Sequence, residues 1–322
     1  MNDEPRLVRP HPWVMPHRED PSLLLELREP AALCAQVREH HTSIMNQLDL
    51  KPIEGSAGDI TLKLLEAEDG PNGKWGENEA EFDPLYVLTM MGVHVRQYLA
   101  VAVNHLAAAG ELVYSGEYLY SVAPVVRASA ECSTSVAWLL DRKCSARQFA
   151  ARAMLDRAAS FQQQIASTSK EGDLGARSAI KDLEASFSNF FHDDEVLKHE
   201  QSGGWESGAS LAGEKVPGLE AKWGLIGAHY GDPKGYKRLY GALALLSHPN
   251  VTHLEILMRD GSYYMDPIGI RNLLWTGHLL YREALRHAIH FFGWAEESTL
   301  TQLDEMLQGV YPEAFESLNA NK

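Results

Sequence analysis

The chain has 322 residues, 45% of them hydrophobic and 23% charged, which is enough for a large buried core and fits an ordinary globular protein. Its formal charge of -15 argues against a broad grip on nucleic acid, which needs Lys and Arg spread over a phosphate-facing surface, but leaves room for a local basic cleft. Cys34, Cys132 and Cys144 are odd in number and lack C-x-x-C spacing, so they suggest neither a disulfide framework nor a zinc ribbon and fit a reducing, cytoplasmic setting.

In chain order, residues 1–20 are rich in Pro and charge and lack periodicity, which predicts a flexible arm without an apolar leader. From Pro30, Leu33, Val37, Ile44 and Leu48 fall near helical spacing, and KPIEGSAGD breaks the pattern. A Gly- and Asn-dense loop follows, ending at Asp83-Pro84, where Pro in the first turn opens a long helix expected to stop at Gly110. Leu85 to Gly110 is the most membrane-like stretch, but His94, Arg96, Gln97, Asn104 and His105 interrupt it, so no span and no membrane partner is expected. A second long helix covers EYLYSVAPVVRASAECSTSVAWLLDRK and is predicted to bend at Pro124. QFAARAMLDRAASFQQQIASTS continues as a third, and SAIKDLEASFSNFFHDDEVLKHE as a less regular fourth.

QSGGWESGASLAGEKVPG predicts a flexible loop near 200–218. Two helices follow, the second opening at Asp232-Pro233, then a strand–Asp-Gly–strand pattern in THLEILMRDGSYYMDP. Pro267 opens a long helix to about Phe292, with Gly293 as its stop, and Ser298 opens the last. The expectation is an all-α fold: residues 21–322 as one irregular bundle of about seven to nine helices with at most one short β-hairpin.

Arg127 and Glu131 are four apart and share a helix face, among the small residues Ala128, Ala130, Cys132, Ser133 and Ser135 that favour close helix approach. Such a pair either lines a polar pocket or forms a satisfied network that holds helices in register. Ser247 and His248 meet at a helix end before Pro249; adjacency alone does not make a nucleophile and base.

These segments resemble an actinobacterial group of all-helical proteins with no established activity. The likeness lies in Pro124, Arg127, Glu131, Trp138 to Asp141, Arg147 and Arg152, and later in Tyr236, Leu239, Ser247, His248 and Pro249. It implies an all-helical fold over about residues 85 to 292 and no particular chemistry.

RNLLWTGHLLYREALRH, residues 271–287, is unusually cationic for an apolar helix. Arg271 and His278 are seven apart, two helical turns, and Arg282 and Arg286 extend the same stripe. The spacing resembles the R-x4-6-H signature of the HEPN superfamily, whose catalytic members are metal-independent RNA endonucleases, commonly dimeric. That resemblance implies that Arg271 stabilises phosphate charge, that Asn272 is the polar residue after it, and that His278 acts as acid and base at a 2'-hydroxyl. Arg282 and His287 are five apart and share a face less well.

His40-His41 and His94 have no carboxylate at a ligand spacing, and His287 with His290 lacks a third ligand, so no metal site is expected. Neither a P-loop nor a dinucleotide fingerprint is present, so no cofactor is expected. Two functions remain: a cytoplasmic module that binds an unknown ligand or protein partner in a polar pocket with Arg127, Glu131, Ser247, His248 and Arg282; or a homodimeric, HEPN-like ribonuclease acting on RNA through Arg271, Asn272 and His278.

Overall fold

The computed structural model describes residues 21–46, 50–70, 73–74, 83–115, 121–167, 170–197, 209–247, 258–259, 262–263, 267–294 and 297–320. The expected N-terminal arm at 1–20 and the first part of the 200–218 loop lie outside these residues. The chain is all-α. Eleven helices are described: α1 Pro21–Met45, α2 Ala57–Ala67, α3 Pro84–Ser115, α4 Val122–Leu139, α5 Ala146–Ser167, α6 Lys170–Phe190, α7 Leu219–His229, α8 Pro233–Ser247, α9 Pro267–Phe292, α10 Glu297–Val310 and α11 Pro312–Ala320. Three antiparallel ladders of two residues per strand accompany them: β1 Asp69–Gly70 with β2 Gly73–Lys74, β3 Val196–Leu197 with β4 Ser210–Leu211, and β5 Met258–Arg259 with β6 Ser262–Tyr263. The last brackets the Asp-Gly expected to turn a hairpin.

Several boundaries fall where local chemistry puts them. α3 starts at Pro84, and the Asp83 carboxylate accepts from the Tyr86 amide at 2.6 Å as a cap. α9 runs from Pro267 to Phe292, and Gly293 leaves it at φ +70°, the left-handed conformation that ends helices cheaply only at glycine. α2 rests on Ser56, whose hydroxyl caps the Asp59 amide. Pro124, the expected bend point, falls in the first turn of α4. It is the third residue of the helix, where its missing N–H would have had no partner within the helix.

α3 does not stop at Gly110 but continues to Ser115. A Cβ at Gly110 would sit 2.6 Å from the Ala31 carbonyl and 2.8 Å from Cys34 Cβ, so the glycine marks the crossing with α1 rather than a helix end. Gly110→Ala is therefore expected to destabilise the protein by about 1–3 kcal/mol through overpacking, despite alanine's ~1 kcal/mol helix preference. A Tm equal to or above wild type would contradict this.

Two apolar clusters meet along shared helices. The larger gathers α1 to α6 and α9 to α11 around Trp138, Phe187, Phe292 and Trp294. The second joins α1, α3, α4, α7, α8 and α9 through Leu27, Val126, Trp223, Leu243 and Leu274. α4 is the axis of both: from Ser129 to Leu140 all but Glu131 and Cys132 are buried, several of them small. Part of the expected 200–218 loop is described. Ala209, Ser210 and Leu211 are buried, and a turn at Ala212-Gly213 directs Glu214 onto Arg152 at 2.6 Å and Gln148 at 2.7 Å. Among the described residues, no helix is long and apolar enough to cross a membrane.

Candidate functional site

The cationic stripe of α9 faces inward. Arg271 donates from Nη2 to the Val310 carbonyl at 2.6 Å, and its guanidinium lies 5.4 Å from the Tyr311 ring. His278 is 1% exposed and packs its ring 5.9 Å from Tyr311. Burial pushes its pKa down to about 4, so the imidazole is neutral. Arg282 forks onto the Asp304 carboxylate and also reaches Glu283 at 2.5 Å, while Arg286 meets the other Glu283 oxygen at 2.5 Å. Asn272 alone is exposed; its carbonyl accepts from Thr276 Oγ at 2.8 Å.

One segment, Leu303 to Phe315, thus covers Arg271, His278 and Arg282 together. Its Leu303, Leu307, Tyr311 and Phe315 are all buried. Each such side chain is worth roughly 1.5–3 kcal/mol, so lifting the segment costs on the order of a domain's net stability.

α4 presents a different surface. Arg127, Glu131, Ser135 and Trp138 lie within roughly 80° of one another around the helix, a single stripe. The sequence pair does meet: Arg127 Nε donates to Glu131 Oε1 at 2.7 Å. Across the gap, α8 supplies Tyr240, whose hydroxyl accepts from Arg127 Nη2 at 3.2 Å while its ring lies 5.3 Å from the guanidinium. Both ends of the pair keep some contact with water, with side chains 13% and 28% exposed.

Further along the stripe, α7 supplies Lys222. Its Nζ donates to Ser135 Oγ at 3.0 Å and lies 5.1 Å from the Trp138 ring. Trp223 packs 5.8 Å from the Tyr240 ring and closes the α7–α8 side. The result is a charged seam between α4, α7 and α8, partly open to water at Arg127 and Glu131 and closed at Lys222. Ser247 stands two turns beyond Tyr240 on α8, but its hydroxyl is spent on the Leu243 carbonyl at 2.6 Å. His248 lies outside the described residues. Arg282 is held by α9 and α10 and does not join the seam's hydrogen bonds.

Sequence reasoning missed Lys222, Tyr240's role, and a buried triad beside the seam. His94 Nδ1 meets Asp156 Oδ2 at 2.8 Å, and Tyr98 donates to Asp156 Oδ1 at 3.0 Å. The available signal was Asp156 itself, a lone acid in the Ala-rich run ARAMLDRAAS, which demands a partner if buried. Burial raises the thiols of Cys34, Cys132 and Cys144 to about 12, 11 and 12, so none is a thiolate nucleophile at neutral pH. Among the described residues, no group of three or more His, Cys, Asp or Glu is placed to hold a metal ion.

The fold and site define a multi-helix protein with a charged seam on its central helix. No family model, curated protein or solved structure matches the chain.

Proposed function

We propose that this chain is a ligand-binding helical module whose site is the seam between α4, α7 and α8. The observation that carries the reading is the stripe Arg127–Glu131–Ser135–Trp138, which meets Tyr240 and Lys222 from two other helices. A purely structural contact between three helices is cheapest when apolar, because charges brought together there lose hydration that their pairing only partly returns. Rigid helices also hold such groups in a fixed geometry, as a binding site requires. Arg127 keeps Nη1 uncommitted among the described residues, at the end of the seam that keeps contact with water and where a ligand enters.

The ribonuclease chemistry implied by the α9 resemblance draws no support from the geometry. A neutral, enclosed His278 under Tyr311 has no approach for a 2'-hydroxyl.

The test is thermal denaturation against a broad panel of metabolites and nucleotides. A ligand at a hundredfold excess over its Kd adds about 2.7 kcal/mol, which raises Tm by several degrees. At least one compound is expected to do so in the wild type and to lose its effect in Arg127→Gln. A flat response across the panel, or a shift that the variant keeps, would reject the seam as the site and turn attention to a protein partner.

A further inference from the structure

We propose that the inner end of the seam is an oxyanion site in which Lys222 supplies the charge, so that the ligand carries a carboxylate or phosphate group. The inference rests on the binding reading above and adds the chemistry of the ligand.

Among the described residues three cationic side chains are buried: Arg152, Arg282 and Lys222, at 8%, 5% and 7% exposure. The fold gives the first two direct carboxylate partners. Arg152 holds Glu214 at 2.6 Å, and Arg282 holds Asp304 and Glu283. Lys222 has none. Its ammonium carries three donors, and Ser135 Oγ is its one hydrogen-bond acceptor. That hydroxyl already donates to the Glu131 carbonyl at 2.9 Å.

The nearby acids are committed elsewhere, Glu131 to Arg127 and Asp156 to His94 and Tyr98. They act on Lys222 only through their fields. Burial outweighs those fields, and the amine sits below its ordinary pKa. Trp138 offers a π face, which stabilises a cation but accepts no conventional hydrogen bond. An underpaired buried ammonium is a liability in the empty protein, and residues kept at the expense of stability belong to sites. An oxyanion completes the set: it brings negative charge and several acceptor lone pairs to a dry cation, where the attraction is strongest.

The experiment compares the full-length wild type with Lys222→Met, which keeps the apolar stem and removes the charge. Tm is measured in sodium acetate, sodium phosphate and sodium chloride at matched ionic strength and neutral pH. The wild type is expected to gain a saturable rise in acetate or phosphate over chloride, and the more effective anion names the source. Lys222→Met is expected to lose that rise, and in chloride to melt at or above the wild-type temperature.

An equal response to chloride, no oxyanion response, or a rise that survives in Lys222→Met would each overturn the proposal. So would a large drop in Tm of Lys222→Met in chloride, which marks a structural lysine. A neutral ligand that shifts the wild type through Arg127, with no oxyanion effect, sinks this inference and leaves the binding reading standing. A flat response to every ligand sinks both.

Discussion

Acidification from about pH 6.5 towards pH 4 is expected to remove much of this protein's stability. His41, His278 and His287 are all enclosed, and burial, the largest influence on each, pushes their pKa values down to about 4. In the unfolded chain the same imidazoles titrate near the ordinary 6.5. Above that value both states are neutral at these positions, and the full stability is present. Between the two values the unfolded chain binds protons that the folded chain refuses. Each unit of falling pH therefore costs up to about 1.4 kcal/mol per histidine.

Neighbours adjust the figure. Arg96 and His40 add to the burden on His41; at His287, His229 and Arg286 add to it while Glu283 and the Leu140 carbonyl oppose it. Even half of the combined maximum is comparable with the ~5–15 kcal/mol net stability of a typical domain. Glu283 acts lower on the scale. Burial raises its pKa, but Arg286, Tyr230 and Arg282 lower it further, so its contribution is lost only as pH falls through that depressed value. Thermal melts taken stepwise from about pH 7 to pH 4 check the histidine window. His278→Leu, which removes one titrating group and fills the same apolar site, is expected to flatten the slope. A Tm that stays constant down to about pH 5 would show that these imidazoles reach water.

Helix starts and stops were the most legible part of the fold because their chemistry is local. Asp83-Pro84 and Pro267 with Gly293 bracket helices by rules that act within one turn. Gly110 misled for an equally physical reason: a missing side chain ends a helix in one context and admits a neighbouring helix in another, and the difference is the Ala31 carbonyl on α1. The Arg127–Glu131 contact was readable because its partners are four residues apart. The pairings that give the site its character were not. Lys222 finds Ser135 across 87 positions, His94 finds Asp156 across 62, and Arg127 finds Tyr240 across 113. No spacing rule reaches that far. The same limit governed the α9 stripe: Arg271, His278, Arg282 and Arg286 do share a stripe, but what it faces depends on α10 and α11.

That stripe carries the largest single-residue effect expected of the fold. Arg282→Ala is expected to destabilise by about 3–5 kcal/mol, the usual result of stripping one partner from a buried charge network. The reason lies less in the bonds lost than in what remains. Glu283 is 0% exposed, and without Arg282 its carboxylate keeps one cation, Arg286, beside the Tyr230 hydroxyl. Asp304 is 28% exposed at its side chain and can turn to water, so its release costs less. Removing the stranded acid along with the arginine should therefore restore much of the loss. Arg282→Met with Glu283→Leu is expected to melt well above Arg282→Ala, because a packed apolar pair carries no charge to desolvate. Denaturant unfolding of the single and double variants measures the coupling directly. If Arg282→Ala cost under about 1 kcal/mol, the network would be behaving like an exposed surface pair. The stripe would then be wet rather than enclosed, and α10 would be held to α9 mainly by the apolar Leu303 and Leu307 and by the Arg271–Val310 hydrogen bond.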